Sequence, residues 1–341
     1  MSVSVIYHGG CADGMGAAFA AWYHFQLFKP KGSFIHTSFY PGFYGKPIPE
    51  EAYDADKIYF VDYSLPREEM IALMSKHDIT VIDHHDSAQK NLEGLDNCIF
   101  DMKQSGAMLT WKYFAEQRND TWIPDLFRYI QDRDLWKNEL PNTVEINNVI
   151  FMMPTDATGT PDKIHSVFCR WSNLMNDLDM PGQFRAAIIA QGEILEQSNR
   201  RYIDNIKKLA QKGLIRLHTG EEYELPIVNA HYTNISTILN ELSEESESGL
   251  AMSYYIDDQD MYKYSIRGKT GNQINLGQLV GKIAGEWKLL SSGGHPNAAG
   301  FVARGPVHTV KHDQATKIEF ESIKDKIMKT FQLYAAIQGK R

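Results

Sequence analysis

Two imidazoles and two carboxylates, Asp83-His84-His85-Asp86, follow directly on the apolar run Val81-Ile82, where a buried strand should end. Left in an apolar interior, such groups are costly unless they are paired or bound to a metal. The pattern recurs twice: His8, Cys11 and Asp13 follow the run Val3 to Tyr7, and Asp62 follows Ile58-Tyr59-Phe60-Val61. Imidazole, thiolate and carboxylate are the donors that hold divalent cations. A further acid, Asp132, closes a helical stretch beside Arg133 and Asp134, where a carboxylate opposes the helix macrodipole and a cation or Arg133 would compensate it. Any one of these runs alone reads equally well as a solvated loop. Acids and imidazoles at three strand ends are harder to attribute to coincidence.

The elements that must position these groups follow from the periodicity. Val3 to Tyr7 reads as a strand, His8-Gly9-Gly10-Cys11-Ala12-Asp13-Gly14 as a glycine loop, and Met15 to Phe28 as a helix. The loop lacks both the third glycine of a dinucleotide fingerprint and the Lys-Ser/Thr of a P-loop. Phe34 to Phe39, Ile58 to Val61 and Ile79 to Ile82 are further strands, with a helix opening at Ser64-Leu65-Pro66. Strand, helix, strand at this spacing predicts a parallel sheet, whose ligands lie outside the carboxyl ends of its strands. The Pro/Gly-rich loop Tyr40 to Pro49 carries aromatics that could stack on bases, although such residues more often pin a long loop to the body.

Cys98 to Phe100 reads as a strand, and Ser105 to Phe114 and Leu126 to Trp136 as helices. The signal from Asn142 to Pro181 is weak, with His165 and Cys169 reading as ordinary helix residues. Gly182 to Lys212 reads as one long helix. Beyond it come strands at Leu225 to Val228, Leu250 to Ile256 and Met261 to Ile266, a helix from Ile274 to Glu286, and a glycine loop from Ser291 to Phe301. Clustered amides at Gly293 and Gly294 could cradle a phosphate, and Arg267 could grip one. The expected fold class is α/β: an N-terminal parallel-sheet domain with flanking helices over residues 1–185, a helical connector over 186–215, and a smaller C-terminal α/β substrate-binding domain over 216–341.

With 341 residues, the chain is long enough for two such domains. The net charge of −8 argues against a protein that coats long nucleic acid, but permits a short fragment held by a local cluster. Cys11, Cys98 and Cys169 are odd in number and widely spaced, which fits a reducing setting. With no signal-like or membrane-spanning run, a cytoplasmic protein is expected.

Taken in order, these motifs resemble the DHH phosphoesterase superfamily. Asp83-His84-His85 matches its name-giving motif, and His8 to Gly14, Asp62 and Asp132 match its other N-terminal motifs. Gly293-Gly294-His295-Pro296-Asn297-Ala298-Ala299-Gly300-Phe301 resembles the signature of the DHH-associated C-terminal domain, with Ser265-Ile266-Arg267 its upstream strand. The resemblance implies hydrolysis of phosphodiester or phosphoanhydride bonds with two metal ions, usually manganese, with magnesium or zinc as the other choices. It implies that Asp62 bridges the metals, that Asp13, His84 and Asp132 complete one site, and that His8 and Cys11 fall at the other. His85 would sit beside the phosphate, which Arg267 and His295, with Gly293 and Gly294, would hold from the second domain. Many relatives carry an aspartate where Cys11 stands, so Cys11 either binds the first metal or packs and leaves that site weaker.

The leading expectation is a manganese-dependent phosphodiesterase that hydrolyses short oligonucleotides to nucleoside monophosphates by metal-activated water, in the manner of the family's nanoRNases and exonucleases. The alternatives are a cyclic-dinucleotide or phosphoadenosine-phosphate hydrolase, and a non-catalytic nucleotide sensor. A homodimer is compatible with the sequence, and no membrane partner is expected.

Overall fold

Strand β1 (Ser2–His8) is buried on both faces because it lies inside a parallel sheet covered on each side. Val3, Val5 and Tyr7 enter one apolar cluster, while Ile6 enters the cluster on the opposite face. The chain continues through α1 (Ala12–Leu27), β2 (His36–Gly42), β3 (Lys57–Val61), α2 (Arg67–Met74), β4 (Ile79–Asp83), α3 (Asp86–Asn91) and β5 (Cys98–Phe100). These strands form a five-stranded sheet of order β2-β1-β3-β4-β5, parallel throughout. β1, β3 and β4 are its three central strands, so the carboxyl ends singled out in the sequence lie side by side.

Helices α4 (Gly106–Gln117), α5 (Asp125–Asp134), α6 (Thr143–Phe151), α7 (Pro161–Asp179) and α8 (Gln183–Lys208) follow. Ser105 caps α4, its hydroxyl accepting the amide of Met108 at 3.3 Å. The stretch that gave a weak sequence signal holds α6 and α7. In α7, Thr160 is the N-cap, Pro161 occupies the first turn, and Val167, Phe168, Trp171, Leu174, Met175 and Leu178 form a buried stripe at helical spacing.

The structure is a computed structural model describing residues 1–27, 35–180, 182–217, 219–231, 234–287, 289 and 291–310. For Trp287, Ser291, His295, Thr309 and Val310 it describes the backbone alone. Phe34, the expected start of the second strand, lies outside the described residues.

The chain divides into two compact units, Met1–Ser198 and Asn199 onward, and the boundary falls within α8. The second unit contains β6 (Gln211–Arg216), β7 (Glu222–Asn229), α9 (Ile235–Glu245), β8 (Leu250–Ile256), β9 (Tyr262–Gly268), α10 (Leu276–Trp287), β10 (Ser291–His295), β11 (Ala298–Ala303) and β12 (Thr309–Val310). Its sheet has the order β10-β11-β9-β8-β7-β6-β12 and is mixed, β7 and β8 being parallel neighbours and the other pairs antiparallel. The fold class is therefore α/β, with one parallel and one mixed sheet.

The expected glycine loop at Ser291 to Phe301 is instead a hairpin. Gly293 pairs with Gly300 and Gly294 with Ala299. A Cβ on Gly294 would lie 2.4 Å from the Ala298 carbonyl oxygen, so close strand pairing requires glycine here. The acidic run from Glu241 is paired, Glu241 with Arg200 and Lys207, and Glu245 with Lys207. Among the described residues no helix is long and apolar enough to cross a membrane.

Candidate metal centre

Asp62 leaves β3 in a left-handed conformation, φ 54°, while its amide still bonds to the Ile82 carbonyl at 2.8 Å. This turn aims its carboxylate, 1% exposed, across the ends of β1 and β4. Its two oxygens face different partners. Oδ2 lies 3.5 Å from His8 Nδ1 and 3.8 Å from Cys11 Sγ, and Oδ1 lies 3.2 Å from His84 Nε2. Buried Oδ1 nevertheless has no hydrogen bond of acceptable geometry, the signature of an acceptor waiting for a cation.

Asp13 sits in the first turn of α1 and is held by the start of α4, whose Gly106 and Ala107 amides donate to it at 2.7 and 3.0 Å. These are amides that a helix leaves unpaired at its start, so the dipole of α4 favours the Asp13 anion. Gly106 lies so close to Asp62 that a Cβ there would be 2.4 Å from the Asp62 Cβ. His84 Nε2 is 3.5 Å from Asp13 Oδ2 and 3.7 Å from Asp134 Oδ2.

Asp83, fully buried, organises the two histidines that follow it. Its Oδ1 accepts the backbone amides of His84 and His85 at 2.7 and 3.2 Å and lies 2.7 Å from His85 Nδ1. The ring of Tyr44, from the loop after β2, stands 5.5 Å from that of His8.

Three overlapping sets of donors result: His8, Cys11 and Asp62; Asp62, His84 and His85; Asp13, His84 and Asp134. Within each set the ligand atoms lie within 4.8 Å of one another. The structure thus brings together His8, Cys11, Asp13, Asp62, His84 and His85. It does not bring in Asp132. That carboxylate accepts the amides of Glu139 and Leu140 at 2.9 and 3.2 Å and the Thr143 hydroxyl at 2.7 Å, clamping the turn between α5 and α6. Asp134, two residues on, stands beside His84 instead, because residues two apart on a helix lie on nearly opposite faces. Asp134 follows Phe127 and Ile130 at helical spacing, and both of those face the core against α1. That stripe was the sequence signal that favours Asp134.

The crowded acids and imidazoles of the cluster share protons among them. Burial opposes ionisation of every group. Even so, the close positive charges of His8 and His84 hold Asp62 below the usual carboxylate range. Burial and the charges of Asp62 and Asp134 push Asp13 well up, and burial with Asp62 raises Asp134. Burial lowers His8, but its bonds to Asp62 and Cys11 win and push it up to about 11. His84 is raised by Asp62 and Asp13 against its own burial. Burial raises the Cys11 thiol. Divalent cations would displace these protons, and the donor set of carboxylates, imidazoles and one sulfur fits them.

The remaining candidates belong to the second unit. Arg267, half-buried in β9, donates to the Ile266 carbonyl and to Ser236 Oγ at 3.0 and 2.9 Å, and burial lowers its pKa. Gly293 and Gly294 lie in β10, and the side chain of His295 is outside the described residues.

Residues 225–328 match the family model described as the DHHA1 domain. That match lies wholly within the second unit, and the Asp83-His84-His85 strand end precedes it in the first. An uncharacterised protein of Acanthamoeba polyphaga mimivirus is 32% identical over 150 residues, 41% of this chain. The match spans 35% of that viral protein's length. Among solved structures, an exonuclease RecJ bound to manganese aligns with 94% of this chain and 88% of its own, at 15% identity and a TM-score of 0.45. A pGpG-specific phosphodiesterase, PggH from Vibrio cholerae, aligns over 95% and 97% at 12% identity and a TM-score of 0.42. An uncharacterised Helicobacter pylori protein aligns over 97% and 99% at 14% identity and a TM-score of 0.42.

Proposed function

We propose that the protein is a metal-dependent phosphodiesterase that hydrolyses short oligonucleotides to nucleoside monophosphates. The observation that carries this reading is Asp62, whose two oxygens face two different donor sets, with Oδ1 buried and unsatisfied. Asp13, His84 and Asp134 would hold one ion, and His8 and Cys11 the other, with Asp62 shared between them. Manganese is the proposed metal of the first of these sets. Bound there, the ions would lower the pKa of a water and neutralise the oxygens of a phosphoryl centre.

The chain's own residues do the rest. Asp83 fixes the His85 ring, leaving the histidine poised beside the centre to contact a substrate phosphate. Tyr44, with 58% of its surface exposed, offers a face on which a base can stack. Within the second unit, Arg267 and His295, with the backbone of Gly293 and Gly294, would bind a phosphate, and the bidentate guanidinium suits that task.

The test is a panel of di- to tetranucleotides, cyclic dinucleotides and phosphoadenosine phosphate incubated with manganese, with the products resolved by chromatography. Release of nucleoside monophosphates from the linear oligonucleotides, lost in Asp62→Ala, is the expected result. Cleavage of only a cyclic dinucleotide or phosphoadenosine phosphate would replace the substrate assignment. A protein that binds these nucleotides and cleaves none would be a sensor.

A further inference from the structure

The two sides of Asp62 differ in kind. On the Oδ1 side stands His84, which with Asp13 and Asp134 makes a set of two carboxylates and an imidazole. On the Oδ2 side they are His8 and Cys11, an imidazole and a sulfur. Hard ions such as manganese and magnesium prefer oxygen, whereas a thiolate ligand selects softer ions, zinc foremost among those bound by nitrogen and sulfur together.

The surroundings of Cys11 are those of a ligand rather than of a packing residue. Cys98 packs against the apolar cluster beneath the sheet, as a buried thiol usually does. Cys11 instead has polar neighbours, with His8 Nδ1 at 3.4 Å and Asp62 Oδ2 at 3.8 Å. It also stands where an N-cap would, immediately before α1, and its sulfur accepts the amide of Gly14 at 3.2 Å. A helix start favours an anion there and so partly offsets the burial that keeps the sulfur protonated until a cation replaces the proton. Gly14 allows this turn, because a Cβ at that position would lie 2.0 Å from the His8 carbonyl oxygen.

We propose that the centre holds two unlike ions, zinc at His8, Cys11 and Asp62, and a hard divalent ion at Asp13, His84 and Asp134, with Asp62 shared. This rests on the reading of the cluster as the metal centre of a nucleotide hydrolase. Zinc binding forms a metal–sulfur bond and releases the thiol proton to solvent, with no change of oxidation state.

Cobalt(II) titrated into chelator-treated protein tests this without any substrate, since a cobalt–thiolate bond gives an intense near-ultraviolet charge-transfer absorption. The absorption should saturate with one equivalent. It should vanish in Cys11→Ser and survive in Asp134→Asn. It should also survive in the double variant Cys98→Ser/Cys169→Ser, a control needed because Cys169 Sγ lies 3.4 Å from His165 Nε2. Cys11→Asp, with its fold checked by circular dichroism, should lose preference for zinc over manganese by about tenfold or more, since even outer-shell changes cost ten- to hundredfold in metal affinity. Two bound equivalents without the absorption, the absorption intact in Cys11→Ser, or unchanged zinc preference in Cys11→Asp would each overturn the proposal. A protein that shows the absorption yet cleaves no nucleotide would keep the zinc site and lose the hydrolase reading. Cleavage without the absorption would do the reverse.

Discussion

Replacing Gly106 by alanine adds one methyl group to the most crowded point of the centre. That methyl would sit 2.4 Å from the Asp62 Cβ and 2.5 Å from its Oδ1. Non-bonded carbons rest about 3.5 Å apart, so roughly 1 Å of separation must be found. Neither side can give it freely. Asp62 is tied by its amide to Ile82 and is 1% exposed, while the start of α4 is tied through two amides to Asp13. Overpacking of this kind costs about 1–3 kcal/mol. A displacement of about 1 Å in positioning groups costs on the order of a hundredfold in rate. We therefore expect Gly106→Ala to fold, to unfold at lower urea concentration than wild type, to retain metal about ten- to hundredfold less tightly, and to turn over about a hundredfold more slowly at saturating metal. Metal content after dialysis, denaturant unfolding and product chromatography measure the three effects. Wild-type metal retention together with wild-type turnover would refute the claim that Gly106 sets the position of the shared carboxylate.

Four other substitutions test separate parts of the structure. Asp132→Ala should lose about 3 kcal/mol or more of stability, since it leaves three donors near a buried site without their acceptor, whereas Asp134→Asn should keep its stability and lose bound metal; metal loss in a stable Asp132→Ala protein would reverse the assignment. Gly281→Ala, inside α10 with open space around its Cβ, should gain about 0.5–1 kcal/mol in urea unfolding, and a loss would count against that helix. His24 is held down to about 4 by burial and by Arg118, so the folded protein keeps it neutral while the unfolded chain protonates it near pH 6.5. Stability contributed in this way is present above about pH 6.5 and is lost as pH falls to about 4. Unfolding free energies of wild type and His24→Asn should therefore diverge across that window, and parallel curves would show that His24 does not titrate as its surroundings require.

The parallel sheet was legible because β1, β3 and β4 are short apolar runs ending abruptly in polar groups, with a helix between β3 and β4. That pattern has few other solutions. The choice between Asp132 and Asp134 was open to the same reasoning, since the stripe Phe127, Ile130, Asp134 is visible in the sequence; the acidic pair drew attention away from its phase. The α4 amides that hold Asp13 were not legible, because a backbone donor has no residue signature and lies more than ninety positions away. The hairpin at Gly293 is hidden in the sequence for a related reason. Paired glycines signal close backbone approach, and the sequence does not say whether the approaching group is a phosphate or another strand.

The left-handed turn at Asp62 restricts what this position can ever become. Glycine and asparagine satisfy that backbone conformation readily, but neither carries an anionic oxygen pair. Glutamate supplies the charge, yet it is poorly suited to the turn and a methylene too long for a space already closed by Gly106. The set tolerated by the main chain and the set able to join two donor groups therefore overlap in aspartate alone. In a saturation library selected for function, residue 62 should behave as an invariant, while a library selected only for folding should readily fill it with glycine and asparagine.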